Sequence, residues 1–319
     1  MRKADYRCPG YRAAMTREEG AGTRRASPSV ERLRKQLDGV ARQLVPSVPA
    51  LSRSRLLMAP LDAVDSLVSL ALGVAGELPP NRLRLRVGAG NRILFNQVMH
   101  REMGVGFWLS RLAEGTVQAE SRLLDIGCGC GRYASVLAGT RLSGAVDFRG
   151  TYTGVDVDPE MIAWCRRHFP PERFMFLLSP MRSKVYNPGG EAGAPPRLDV
   201  PDASQDFVFS VSLFTHLLAG DVEGYLRETA RVMAPGASMR MTVFCIDDLR
   251  DAGTLGGRWT FAHRDGPAYL ESERYPEAAV AYERAWLLDA CKRAGLADAR
   301  VLPSPGQSAL IARVPPAIS

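Results

Sequence analysis

One run of ten residues, Leu123-Leu124-Asp125-Ile126-Gly127-Cys128-Gly129-Cys130-Gly131-Arg132, restricts the fold more than any other part of the chain. An apolar segment leads into glycine at every second position, and helical periodicity resumes at Arg132. Glycines 127 and 129 tolerate positive φ and leave no Cβ between the backbone and an approaching ligand. A strand, a glycine turn and a helix in this order open a doubly wound sheet, in which ligands bind at the carboxyl ends of the strands. The remaining pattern agrees. Strands at 121–126, 152–157, 174–178, 207–211 and 238–244 alternate with helices at 132–138, 159–168, 222–233 and 283–294. These strands lack polar alternates, as expected of a mainly parallel sheet covered on both faces. After the last helix, segments 299–302 and 308–314 flank Pro303-Ser304-Pro305-Gly306, a turn that predicts an antiparallel hairpin at the sheet edge. The expected class is α/β: a doubly wound, mainly parallel sheet with a C-terminal antiparallel hairpin and an N-terminal helical extension.

The charge is unevenly spread. Of 319 residues carrying a net +7, residues 1–86 hold 16 Lys and Arg against 8 Asp and Glu, whereas 87–319 hold 25 against 26. Basicity is therefore a property of the N-terminal part, read as an arm and helical extension (1–86) ahead of the sheet domain (87–319). Residues 1–28 lack apolar periodicity and read as a solvated arm. A helical pattern follows at 30–44 (Val30, Leu33, Leu37, Val40, Leu44). A second, at 61–78, gathers Val64, Leu67, Val68, Ala71 and Leu72 on one face and stops at Pro79-Pro80. Packing of that face on the following domain is preferred over a membrane-surface helix, because the polar face is acidic and not Lys-rich. Asp62, Asp65 and Glu77 argue against a membrane span, and the N-terminus has no apolar signal segment. Six cysteines without a regular framework or a C-x-x-C pair exclude a disulfide scaffold and a zinc ribbon, and a cytoplasmic location is expected.

The ligand class follows from what surrounds the glycines. A dinucleotide fingerprint wants glycine or alanine where this chain has Arg132, and no Lys-Ser/Thr follows to make a P-loop. Asp125, directly before the glycines, would repel a phosphate and favour a cationic ligand. Asp156 ends the second strand, where a carboxylate can accept both hydroxyls of a ribose. Asp158, followed by Pro159, reads as the N-cap of the next helix. Together these features specify a nucleoside with a positive appendage.

The chain resembles the class I S-adenosylmethionine-dependent methyltransferases over roughly residues 87–319. The resemblance lies in Leu-Leu-Asp-Ile-Gly-Cys-Gly-Cys-Gly, in Gly-Val-Asp156, in the stretch from Asp206 through Ser212 to His216-Leu, and in Arg231-Val-Met-Ala-Pro-Gly236. It implies a seven-stranded sheet with S-adenosylmethionine as cofactor. It also implies that Asp125, Gly127 and Gly129 line the methionine end, that Asp156 holds the ribose, and that residues 209–212 face the reacting methyl. Cys128, Val157, Met161, Ser210 and Ser212 complete the expected cofactor-binding set. The stretch 174–182 lacks the acidic residue that relatives often carry near the adenine, so backbone amides at Pro180 and Met181 are expected in its place. Residues 141–150 read as a surface insertion.

Methyl transfer from a sulfonium needs alignment and exclusion of water, and a hydroxyl acceptor gains further from a general base. His216, just beyond the fourth strand, is the candidate base; the alternative is a histidine that packs or hydrogen-bonds within the 212–218 turn. His100 and His168 sit in helical patterns and read as structural, and His263 as a possible lid residue. Tyr186 and Asn187, in the Gly/Pro-rich segment 184–196, are candidate substrate contacts. Arg82, Arg84 and Arg86 alternate with apolar residues as an edge strand or an anion-binding rim, and a structural role is preferred. No His/Asp cluster has metal-ligand spacing, and no nucleic-acid module is visible. The expected activity is methyl transfer to a small-molecule or saccharide-type acceptor, at a hydroxyl. The competing readings are an RNA or protein methyltransferase tethered by the basic arm, and a cofactor-binding scaffold without turnover. The oligomeric state is not legible in the sequence.

Overall fold

The computed structural model describes residues 52–72, 78–87, 97–138, 148–181, 183, 187–191 and 196–317. The arm, the helical pattern at 30–44, Tyr186 and most of the 141–150 insertion lie outside them. Residues 45–319 form one compact unit. Its helices are α1 (Arg55–Ala71), α2 (Asn81–Arg84), α3 (Gln97–Ala113), α4 (Arg132–Ala138), α5 (Pro159–His168), α6 (Ala219–Val232), α7 (Ile246–Asp251) and α8 (Arg284–Arg293).

The strands are β1 (Arg122–Ile126), β2 (Thr151–Asp156), β3 (Phe174–Leu178), β4 (Gln205–Ser210), β5 (Met233–Cys245), β6 (His263–Asp265), β7 (Ala268–Leu270), β8 (Val280–Tyr282), β9 (Ala297–Leu302) and β10 (Ser308–Arg313). Strands β3-β2-β1-β4-β5 run parallel, and β10 joins β5 antiparallel with β9 outside it. These are the seven strands and terminal hairpin expected. Three further strands were not: β8 pairs with the far end of β5 at Phe244 and Cys245, and β7 and β6 extend from it antiparallel. Each is three residues long, too short for alternation to show in sequence.

The order reverses direction between β1 and β4, so the crevice at the carboxyl ends of these strands is the switch point at which such sheets bind ligands. Strand alternation divides the core. Leu124, Ile126, Val208, Met239 and Leu310 face Leu226 and Leu287 on one side. Leu123, Tyr152, Phe207 and Phe209 face Trp108, Tyr133 and Trp164 on the other.

The structural role preferred for Arg82, Arg84 and Arg86 holds, in a helical turn and not in an edge strand: α2 is that turn, and its arginines pair with acids inside the protein. Arg84 meets Asp65 at 2.5 Å with both side chains buried, and Arg86 bonds Asp158 at 3.1 Å and Glu160 at 2.7 Å. The expected packing of the apolar face of α1 on the domain is overturned. Met58, Asp65 and Ser69 are buried, while Val64, Leu67 and Leu72 are exposed. Buried arginines select the acids of α1 as their partners, and that choice turns its leucines outward.

Candidate functional site

Strand β1 ends in a turn whose glycines all have positive φ: Gly127 at 82°, Gly129 at 56° and Gly131 at 75°. The turn is tied to β2, since the N–H groups of Gly127 and Cys128 both donate to the Val155 carbonyl, at 2.8 and 3.1 Å. A Cβ on Gly129 would lie 3.1 Å from Val87, and one on Gly131 would lie 2.8 Å from Phe169. The bare backbone thus lets the turn close tightly while leaving its outer side to the cleft.

Asp156, at the end of β2, holds the same turn from the side. One carboxylate oxygen accepts the Gly129 N–H and the other the Asp158 N–H, both at 2.8 Å. Burial pushes its carboxyl up to about 6, and the backbone donors act against that rise. Asp158 caps α5 as expected, accepting from Glu160 N–H at 3.0 Å ahead of Pro159.

Seven of the expected residues line one cleft at this edge: Gly127, Gly129, Asp156, Val157, Met161, Ser212 and His216. Ser212 is held at φ 63°, unusual for a residue with a side chain, by N–H donation to Thr242 Oγ1 at 2.7 Å and hydroxyl donation to Gln307 at 2.9 Å. His216 ends a single 3₁₀ turn (Phe214–His216), and its Nδ1 lies 2.9 Å from the Glu277 carbonyl, across the cleft and outside its own turn. A carbonyl can only accept, so Nδ1 carries a hydrogen, and in the neutral form of such a ring the lone pair belongs to Nε2.

Four expected residues lie elsewhere. Asp125 is one position out of phase with Ile126, which lines the cleft; its carboxylate turns to the opposite sheet face and accepts the Tyr152 hydroxyl at 2.5 Å. Burial pushes it up to about 7, while the Tyr152 bond and the charge of Arg132 pull it down. Cys128 points into the core against Gly154, and burial raises its thiol. Ser210 is buried and donates to the Ile126 carbonyl at 2.7 Å, joining β4 to β1. Asn187 does not line the cleft; its amide donates to the Met181 carbonyl at 3.3 Å.

The expected adenine contacts also change. Pro180 has no N–H, its carbonyl already accepts from Glu191 at 2.8 Å, and Met181 N–H faces Ser179 Oγ at 3.4 Å. The side chains of Ser179 and Met181 are what line this end. His263 pairs with Glu273 at 3.2 Å and does not line the cleft, and His168 stacks on Trp164.

The sequence reading missed several cleft residues. Arg132, taken there only as the absence of a glycine, is 5% exposed and lines the cleft below the turn. Its guanidinium lies 3.6 Å from Met103 Sδ and 3.3 Å from Tyr133 Oη, over the Tyr133 ring; Nε has no partner, and among the described residues no carboxylate pairs with it. Asp221, in the first turn of α6, resembles an ordinary helix-start acid in sequence. It is half-buried in the cleft wall beside Tyr225, and burial raises its carboxyl. Among the described residues no three His, Cys, Asp or Glu side chains are placed to hold a metal ion, and no helix is long and apolar enough to cross a membrane.

A family profile described as "Methyltransferase domain" matches residues 124–241. A fatty-acid O-methyltransferase of Mycolicibacterium smegmatis is 31% identical over 166 residues, which are 52% of this chain and 50% of that protein, so the chain spans half the length of this relative. Among solved structures, 1,6-didemethyltoxoflavin-N1-methyltransferase of Burkholderia thailandensis is 16% identical, over 81% of this chain and 88% of that one, at a TM-score of 0.42. Magnesium protoporphyrin IX methyltransferase of Synechocystis PCC 6803 is 14% identical over 68% and 84%, at a TM-score of 0.42. That family match runs from β1 through the glycine turn, Asp156 and His216 into β5, so residues 124–241 carry a methyltransferase domain.

Proposed function

We propose that the chain, through a catalytic domain spanning 87–319, transfers a methyl group from S-adenosylmethionine to an oxygen of a small, largely apolar acceptor, with His216 as general base. The observation that carries this reading is that one cleft is lined by the glycine turn, by Asp156, which holds that turn, and by His216, whose Nδ1 carries a hydrogen toward Glu277. The residues present fit the cofactor. A Cβ at 127 would meet Leu213 at 3.2 Å and one at 129 would meet Val87 at 3.1 Å, both of which line the cleft, and among the described residues no carboxylate ion-pairs with the buried Arg132. When bound, the cofactor supplies an electrophilic methyl on a sulfonium.

The chain's own groups do the rest. With the cofactor bound, Gly127 and Gly129 would admit the methionine part, Arg132 would take its carboxylate, Asp156 would accept from the ribose, and Val157 and Met161 would flank the base. Val211, Leu213 and Leu217 give the acceptor end apolar walls that exclude water, which favours an apolar acceptor over a saccharide. His216 Nε2 would take the proton of the acceptor hydroxyl as the oxygen bonds to the methyl carbon and the S–CH3 bond breaks, its electron pair staying on sulfur in the departing S-adenosylhomocysteine. The fatty-acid O-methyltransferase relative supports an oxygen acceptor. The neutral charge balance of 87–319 supports a small molecule over a nucleic acid.

Calorimetry with S-adenosylmethionine, S-adenosylhomocysteine and NAD on the wild type and Asp156→Ala tests the cofactor assignment. The first two ligands bind and weaken with the substitution. Binding of NAD alone, or affinity indifferent to Asp156, overturns it. Label transfer to a panel of apolar alcohols and acids then tests the acceptor class.

A further inference from the structure

Helix α1 is inside out compared with an amphipathic helix that packs on its domain. Met58, Asp65 and Ser69 face inward, while Leu56 is 91% exposed, Leu67 68% and Leu70 67%, with Leu57, Leu61 and Val64 exposed between them. The helix is 17 residues long, which at the standard rise is about 25 Å. A leucine band of this length on a surface marks an interaction site.

What distinguishes this band is its charge. The two acids of the helix, Asp62 and Asp65, are drawn inward by Arg82 and Arg84, so the outward face carries no carboxylate. Arg55, at the N-terminal end, keeps a side chain 80% exposed beside Glu160, which already binds Arg82 and Arg86. Residues 1–50, ahead of the helix in sequence, hold 11 Lys and Arg against 5 Asp and Glu. A second copy seated on this face would bring two such basic segments together, an unfavourable pairing. An anionic lipid surface satisfies both features: the leucines enter the headgroup and acyl boundary, and the cations meet the phosphates.

We infer that α1 is an interfacial anchor that docks the protein onto an anionic lipid surface. The buried Arg84–Asp65 pair and the bonds from Arg86 to Ser52 hold the leucine face rigidly outward. None of the outward residues lines the cleft, so the inference stands apart from the methyl-transfer reading.

The test is sedimentation of the full chain with vesicles of equimolar phosphatidylcholine and phosphatidylglycerol, against vesicles of phosphatidylcholine alone. The wild type binds the anionic vesicles, more weakly at high salt, and leaves the neutral ones. The double variant Leu67→Glu/Leu70→Glu binds at least about tenfold more weakly with an unchanged melting temperature. Leu56→Ser/Leu57→Ser, at the other end of the band, gives the same direction should the first variant not fold. No binding by the wild type overturns the inference. So does full binding by the Glu variant, which would place the contact in residues 1–50, and so does a solution dimer that the Glu variant dissolves.

Discussion

Replacing Arg132 by leucine separates the two roles that a buried cation can have. A structural arginine loses its partner interactions when truncated, and breaking a buried ion pair costs about 3–5 kcal/mol of stability. Arg132 has no such pair among the described residues: its contacts are a thioether, a phenol oxygen and the Tyr133 ring, and Nε is orphaned. Leucine removes a cation–π contact of about 0.5–2 kcal/mol, but also removes a buried charge that no ion-pairing carboxylate among the described residues meets and adds apolar packing. Loss of the positive charge raises the buried Asp125 carboxyl further, which keeps it protonated at neutral pH. Stability therefore changes by no more than about 1 kcal/mol in either direction. Cofactor binding behaves differently, because a lost charge-assisted bond to the methionine carboxylate costs about 1.5–3 kcal/mol, or about 10- to 150-fold in affinity. Titration calorimetry with S-adenosylhomocysteine reads that loss directly. Methylthioadenosine, which shares the nucleoside and sulfur but has no carboxylate, binds wild type and Arg132→Leu alike. Equal weakening for both ligands, or unchanged S-adenosylhomocysteine affinity, refutes the assignment, and a melting-temperature drop matching 3–5 kcal/mol makes the residue structural.

Three further outcomes are expected. His216→Ala lowers single-turnover methyl transfer by about 10²- to 10⁴-fold while S-adenosylhomocysteine affinity stays unchanged; a parallel loss of affinity would make the residue a binding group and not a base. Folding raises Asp125 to about 7 and Asp156 to about 6, above the ordinary 3.8, so between about pH 4 and 7 these two groups bind more protons in the folded protein than in the unfolded chain. These two groups therefore make stability fall as pH rises through that window, and Asp125→Asn flattens the slope in pH-dependent denaturant melts. Arg84→Met, which removes the arginine paired with buried Asp65, costs about 3–5 kcal/mol in urea unfolding, and adding Asp65→Leu recovers most of it. If the double variant is no more stable than the single one, the ion pair is not what holds α1.

The parts of the site that were readable from residues are those set by local geometry. The glycine turn, Asp156 at the end of β2, the Asp158-Pro159 helix start and the β9–β10 hairpin depend on neighbours within a few positions. Placement of Asp125, Ser210 and Cys128 failed for a common reason. A strand alternates its faces every residue, and which face meets the cleft is decided by the strands on either side. Asp125 was one residue from lining the cleft; the Tyr152 hydroxyl on β2 took it instead.

By itself, the order of residues determined a parallel sheet with a bare backbone turn at the end of β1 and a carboxylate at the end of β2, because φ freedom, strand periodicity and helix capping act over short range. Only the tertiary structure decided where the charges went. Burying Arg84 and Arg86 demanded carboxylates, and Asp65 and Asp158 were within reach. Arg132 was buried with no ion-pairing carboxylate among the described residues, and α1 turned its leucines to solvent as it supplied its acid. Such pairings join residues far apart in the chain, and the cost of leaving a buried charge alone outweighs the preference of any single helix for hiding its apolar face.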